Sequence, residues 1–221
     1  MSEVVANLAA VRHAIATAAR QAGRDAASVS LVAVSKTHDA PDIVPVLEAG
    51  QRCFGENRVQ EAKAKWPALK DRFAGVELHL IGPLQTNKVR DALALFDVIE
   101  SIDRPKLARA VADEMGRSGL RPACCIQVNT GREAQKAGVD PDQADRFVAL
   151  CRDEFGLPLV GVMGIPPADL DPEPHFRLLA DIAARNGLAM ISMGMSGDYP
   201  AAIRLGATHV RVGSAIFGAR S

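Results

Sequence analysis

Residues 31–41 read Leu31-Val32-Ala33-Val34-Ser35-Lys36-Thr37-His38-Asp39-Ala40-Pro41. The four apolar residues at the start have the length and composition of a buried strand, and Asp39-Ala40-Pro41 is a helix-start signal. The turn between them, Ser35-Lys36-Thr37, contains no glycine. An open doubly wound sheet usually carries a glycine-rich first turn of this kind, so the segment argues for the other parallel architecture, a closed barrel.

Working outward, the same alternation repeats. Period and β-branched content predict strands at 31–35, 52–55, 77–81, 98–101, 123–128, 159–163, 189–193 and 209–212. Helices are predicted at 42–49, 58–69, 86–95, 105–117, 141–154, 174–186 and 200–205, with proline recurring at their starts and glycine after their ends. An opening amphipathic helix carries Val4, Leu8, Val11 and Ile15 on one face and ends before Gly23. Eight βα units without a long linker or low-complexity tract predict one α/β domain over 1–221. The expected architecture is a (β/α)8 barrel of the TIM type with an extra N-terminal helix, and the resemblance described below adds the expectation that no C-terminal β domain is present.

Composition narrows the function classes. The 221 residues are 48% apolar and 24% charged, enough for a full core. Twenty-six basic and 26 acidic residues give a formal net charge of +0, which supplies no general pull toward nucleic acid or membrane. No apolar stretch approaches the roughly 20 residues of a membrane span. Met1-Ser2-Glu3-Val4 has neither a basic nor an apolar leader region. Cys53, Cys124, Cys125 and Cys151 show no metal-ligand spacing, so no metal is expected. The vicinal pair reads as buried small hydrophobes in a reducing compartment. A cytoplasmic protein is the expectation.

Chemistry gathers at the carboxyl ends of barrel strands. Lys36 follows the first strand, where burial would lower the pKa of its amine and favour the neutral nucleophile that attacks aldehydes and ketones. A lysine that snorkels into solvent is the bland alternative. The seventh strand runs into Gly194-Met195-Ser196-Gly197-Asp198 and the eighth into Gly213-Ser214. Both loops offer small residues and a hydroxyl where such barrels often bind phosphate. Arg211 shares strand parity with His209 and Gly213, so it either contacts a ligand or forms an outward ion pair. A reactive amine on strand one neighbours an anion cradle after strand eight. That describes a seat for pyridoxal phosphate, or a Schiff-base aldolase for a sugar phosphate.

The chain resembles the pyridoxal phosphate homeostasis proteins, relatives of the alanine racemase barrel. The resemblance rests on Leu31-Val32-Ala33-Val34-Ser35-Lys36, Phe54-Gly55-Glu56-Asn57-Arg58-Val59-Gln60-Glu61 and His79-Leu80-Ile81-Gly82-Pro83-Leu84-Gln85-Thr86-Asn87-Lys88. It continues through Gln127-Val128-Asn129, Gly161-Val162-Met163-Gly164-Ile165-Pro166-Pro167, Met193-Gly194-Met195-Ser196-Gly197-Asp198 and Val210-Arg211-Val212-Gly213-Ser214-Ala215-Ile216-Phe217-Gly218. It implies that Lys36 holds pyridoxal 5'-phosphate as a Schiff base and that Ser196, Gly197, Gly213 and Ser214 hold its phosphate. Arg211 would face the pyridine nitrogen and Asn57 would sit by the ring. An arginine there disfavours protonation of that nitrogen and weakens the ring as an electron sink. The chain stops at Ser221, where the family usually continues a little, so a stub is expected in place of a full last helix.

Racemisation needs a base on each face of the substrate carbanion. Lys36 supplies one; related racemases supply the other as a tyrosine, and the single tyrosine here, Tyr199, reads as a loop-packing residue. The expectation is a carrier or buffer of intracellular cofactor, with no catalytic residue assigned. Its expected partners are pyridoxal phosphate and the apo-enzymes that use it, and a monomer is expected. A low-activity amino-acid racemase and the aldolase are the alternatives. His79 is expected to be a hydrogen-bonded core residue, Glu61 to face solvent, and residues 133–136 to form a surface loop. Gln85, Asn87 and Lys88 would cap a helix, line the mouth or meet a partner.

Overall fold

The apolar runs and capped stretches fold as they read. The computed structural model describes residues 2–218. Met1 and residues 219–221, including the expected stub beyond Gly218, lie outside the described residues. Eight parallel strands occur among those described: β1 Ser30–Val34, β2 Cys53–Glu56, β3 Glu77–Leu80, β4 Val98–Ile102, β5 Ala123–Val128, β6 Leu159–Gly164, β7 Met190–Ser192 and β8 His209–Val212. Each pairs with its successor, and β8 returns to β1 through Ser30↔His209, Val32↔Arg211 and Ala33↔Val212, closing the barrel. Helix α1 (Glu3–Gln21) precedes β1. The outer ring is α2 Ala40–Glu48, α3 Val59–Arg72, α4 Val89–Leu95, α5 Pro105–Ser118, α6 Ala144–Ala149, α7 Glu173–Arg185, α8 Tyr199–Arg204 and α9 Ser214–Phe217.

The predicted helix over 141–154 divides into three. It opens with a 3₁₀ turn in which the Asp140 carboxylate accepts the Asp142 N–H, continues as α6, and ends in a π-turn over Leu150–Glu154. That turn is closed by the Phe155 N–H donating to the Leu150 carbonyl at 3.1 Å, five residues back.

The main core is the apolar shell between strands and helices, with Trp66, Phe54, Phe176 and Ile43 among its fully buried members. The inside of the barrel is different. A small apolar plug of Val98, Cys125, Met163 and Met190 shares it with buried His79, Glu100, Ser192 and Arg211. Barrels of this kind usually fill that space with branched apolar layers. Burying charge instead requires that each group find a partner, and the network described below supplies them. No described helix is long and apolar enough to cross a membrane.

Candidate functional site

β1 delivers Ser35 and Lys36 to the barrel's carboxyl-terminal mouth, and the turn that follows is braced from below. The Ser35 hydroxyl donates to Glu56 Oε1 at 2.6 Å. Buried Lys65, in the second turn of α3, donates to the carbonyls of Ser35 (2.9 Å) and His38 (2.8 Å), and pairs with Glu56 (2.9 Å) and Glu61 (3.0 Å). Trp66 Nε1 donates to the same Glu56 oxygen at 3.0 Å. Within this frame Thr37 is held at φ 66°, a left-handed conformation unusual for a β-branched residue, and its N–H donates to Glu61. Strain of that kind, on the order of 1–3 kcal/mol, persists only where the surroundings over-determine it, and it clusters at functional sites. The expectation that Glu61 faces solvent is corrected here. Its position on α3 sets it against the Lys36 turn, which helical periodicity alone does not reveal.

Lys36 is half-buried and shares the wall of a cavity of about 320 Å³ with Asn57, Arg211, Gly213 and Ser214. Five of the seven residues expected at the site therefore meet in one cavity. Ser196 and Gly197 are not on its wall, but the Ser214 hydroxyl donates to Ser196 Oγ at 3.2 Å, which joins the two loops. The first of these loops depends on Gly194, at φ 91°, where a Cβ would stand 2.6 Å from that of Ala202. The loop is then closed by the Met195 N–H donating to the Asp198 carboxylate at 2.6 Å. Asn57 is seated by Gly82, where a Cβ would come within 2.2 Å of the Asn57 carbonyl oxygen.

Arg211 points inward, which removes the outward ion pair as an explanation. It is 4% exposed and donates from one guanidinium nitrogen to Ser192 Oγ (2.7 Å) and from the other to the Gly164 carbonyl (2.9 Å). Ser192 in turn donates to Glu100 at 2.5 Å, and the other Glu100 oxygen meets His79 Nδ1 at 2.6 Å. A polar chain thus runs down the barrel axis from the cavity to His79, the core histidine the sequence implied. Burial works against the Glu100 carboxylate, but the hydrogen bond and charge of His79, with Arg211 and Ser192, hold its pKa below the ordinary value. Burial also disfavours the charged His79 ring. Hydrogen bonds with Cys53, Glu100 and Glu77 outweigh it and raise the pKa well above the usual one. Burial lowers the Arg211 pKa against the opposing charge of Glu100.

These directions set a pH dependence. Glu100, lowered on folding, stabilises above its unfolded pKa, and that contribution is lost as the pH falls through the lowered value. His79, raised on folding, stabilises below its unfolded pKa, and that contribution fades as the pH rises through the raised one. The stability gap between the native chain and His79→Gln, from urea midpoints, is therefore expected to shrink from neutral to alkaline pH. A gap independent of pH contradicts the assignment.

Two cavity residues received no role from the sequence. Gln127 is buried on the wall, its amide donating to the Ala137 carbonyl at 3.1 Å. It lies two positions beyond Cys125, inside the barrel, so strand parity could have singled it out. His38 lines the cavity and stacks on Phe217 with ring centroids 4.8 Å apart, a contact between residues far apart in sequence that no local pattern signals. Gln85 and Lys88 line a second cleft of about 670 Å³ with Arg58 and Arg104, joined to the first at Asn57 and Pro83. In the 133–136 loop Lys136 pairs with Glu133 at 2.6 Å. Tyr199 is packed into the main core and is outside the cavity lining.

A primary amine, a guanidinium, two hydroxyls and small-residue loops around one cavity suit a small molecule bearing a carbonyl, an anionic group and a hydrogen-bond acceptor. None of the described residues lining that cavity is acidic.

Residues 6–221 match the family model of the alanine racemase N-terminal domain. The pyridoxal phosphate homeostasis protein of Pseudomonas aeruginosa is 40% identical over 228 residues, covering 100% of this chain and 97% of the relative. That of Escherichia coli K12 is 38% identical over 229 residues, covering 100% and 98%. Among solved structures, PipY of Synechococcus elongatus with PLP bound aligns at a TM-score of 0.83 and 35% identity, covering 98% of this chain and 100% of PipY. Alanine racemase of Bartonella henselae gives 0.73 at 16% identity, covering 98% of this chain and 58% of that one, a likeness of fold alone.

Proposed function

This chain belongs to the alanine racemase N-terminal domain family as one of its pyridoxal phosphate homeostasis proteins, and from that premise we propose that it binds pyridoxal 5'-phosphate in the Lys36 cavity and holds it without turnover. The observation that carries the reading is the convergence of Lys36, Arg211 and the Ser196–Ser214 hydroxyl pair at one mouth of the barrel. The donor set fits the cofactor. An amine stands where an aldehyde would be fixed, a permanently charged donor can meet a ring nitrogen, and hydroxyls with glycine-flanked backbone suit a phosphate. When bound, the cofactor supplies an electrophilic carbonyl and an electron-withdrawing ring.

The chain's own residues then divide the work. Lys36 supplies the amine, and its turn is fixed by Lys65, Glu56 and Glu61. Arg211 is locked in place by Ser192 and Gly164, so its guanidinium keeps the positive charge that opposes a proton on the ring nitrogen. Ser196, Gly197, Gly213 and Ser214 take the phosphate, and Asn57 and Gln127 flank the ring. For turnover as a racemase a second proton-exchanging group should stand across from Lys36. Tyr199 is buried in the core, and His38 leaves the same turn as Lys36 and is occupied by Phe217. Holding without reacting suits a carrier that works as a monomer in the cytoplasm and lends the cofactor to apo-enzymes.

Titration with pyridoxal phosphate, and with pyridoxal as the form lacking phosphate, tests the reading. A new absorbance band at the visible edge with the phosphorylated form, and no interconversion of alanine or serine enantiomers by the loaded protein, is the expected result. Failure of the band to appear overturns binding; sustained enantiomer conversion overturns the absence of turnover. Ser196→Ala and Ser214→Ala are each expected to weaken binding of the phosphorylated form by about 10- to 100-fold, in line with roughly 1.5–3 kcal/mol for a hydrogen bond to a charged group. Neither should change the affinity for pyridoxal. Equal losses for both ligands would contradict the phosphate assignment.

A further inference from the structure

At the barrel's other mouth, three side chains of different chemistry meet. Cys53 opens β2, and Glu77 and His79 lie two residues apart on neighbouring β3, so they share one strand face. His79 Nε2 lies 3.5 Å from Cys53 Sγ and 2.6 Å from Glu77 Oε1, and the three potential ligand atoms are all within 4.8 Å of one another. We infer that these residues form a site for a divalent transition metal, best suited to Zn²⁺, at the end of the barrel remote from the cofactor cavity.

Thiolate, imidazole and carboxylate together are a zinc donor set, and a hard cation such as Mg²⁺ would not choose the sulfur. A tetrahedral zinc with ordinary Zn–S and Zn–N bonds separates those two atoms by about 3.5 Å, which is the spacing found. The Glu77 oxygen stands too close to His79 for both to bind one ion, and it would have to withdraw by roughly 1 Å. Its side chain is 53% exposed and can do so.

The outer shell is already built. Metal-binding histidines almost always give their other nitrogen to a carboxylate or carbonyl, which fixes the ring and its tautomer. His79 does this through Nδ1 to Glu100, itself held by Ser192. His209 packs beside the ring at 5.9 Å between centroids, with its own Nδ1 engaged by Thr208 at 2.9 Å. Three protein ligands leave a fourth position for water on the Glu77 side. Binding exchanges protons for metal: the Cys53 thiol and the His79 Nε2–H each give one proton to solvent, and the carboxylate gives none. Cysteine spacing could not announce such a site, because its ligands come from two strands and include a single cysteine.

Cobalt(II) titration of the chelator-treated full chain, by difference absorbance at constant cofactor loading, tests the inference. One equivalent is expected to produce a thiolate-to-cobalt charge-transfer band in the near ultraviolet with visible d–d bands of four-coordinate strength, and zinc should displace it. Cys53→Ser should remove the charge-transfer band. Glu77→Ala, at a half-exposed position the fold tolerates, should weaken binding by at least the 10–100-fold typical of outer-shell changes. Absence of the band in the native chain, or binding unaltered by either substitution, overturns the site. The pyridoxal phosphate absorbance should be the same in Cys53→Ser as in the native chain, so failure here is separable from failure of the cofactor reading.

Discussion

Lys36→Ala is expected to abolish the visible-edge absorbance that pyridoxal phosphate acquires on the protein, whatever the cofactor concentration. The band requires a primary amine at the aldehyde, and no rearrangement of the other cavity groups provides one: Asn57, Gln127 and Arg211 are not nucleophiles at neutral pH. Weak reversible binding should survive, because under the proposed assignment the Ser196–Ser214 pair and Arg211 would still meet the phosphate and the ring. Arginine at position 36 keeps a positive charge but supplies no reactive amine, so it should lose the band as completely as alanine. That comparison separates nucleophile from cation. Retention of the full band in Lys36→Ala would assign the chemistry to another lysine and remove the basis of the functional account.

Lys65→Met is expected to cause the largest loss of stability of any single change near the cavity. Lys65 and Glu56 form a buried ion pair at 2.9 Å, and the ammonium also serves the carbonyls of Ser35 and His38. Removing one partner of such a pair strands a charge in the interior and costs about 3–5 kcal/mol. In a chain of this length that corresponds to a fall of roughly 10 °C in Tm. The loss should be smaller in Lys65→Met/Glu56→Gln, where no carboxylate is left uncompensated, although the two freed carbonyls remain unserved. Because the same ammonium anchors the turn that carries Lys36, the single variant should also bind cofactor more weakly at temperatures where it is folded. A change in Tm of a degree or less, or a double variant no better than the single one, would contradict this role.

The barrel was legible because its signals are local and repeated. Residues 123–128 and 209–212 coincide with β5 and β8, and most other strand limits differ by one residue. The glycine-free turn at Ser35-Lys36-Thr37 chose the architecture, and closure of β8 onto β1 placed Lys36 beside Gly213 and Ser214. Parity left Arg211 open between two readings, since period two says which residues share a face but not which face is inside. Only closure settles it. What stayed hidden depends on partners distant in sequence. Glu61 reaches back to Thr37, and Glu100 serves both Ser192 and His79 across the barrel. A buried charge reads in sequence like a solvated one, because the alternation is the same until the partner is known.

One particular amine, beside one particular phosphate pocket, is expected to fix the cofactor. Borohydride reduction of the protein loaded with stoichiometric pyridoxal phosphate, followed by peptide mass mapping, tests this most directly. A phosphopyridoxyl group is expected on the peptide containing Lys36, with its yield reduced in Ser196→Ala and Ser214→Ala. Label spread over Lys63, Lys88 and Lys106, or concentrated on any lysine other than Lys36, would contradict it.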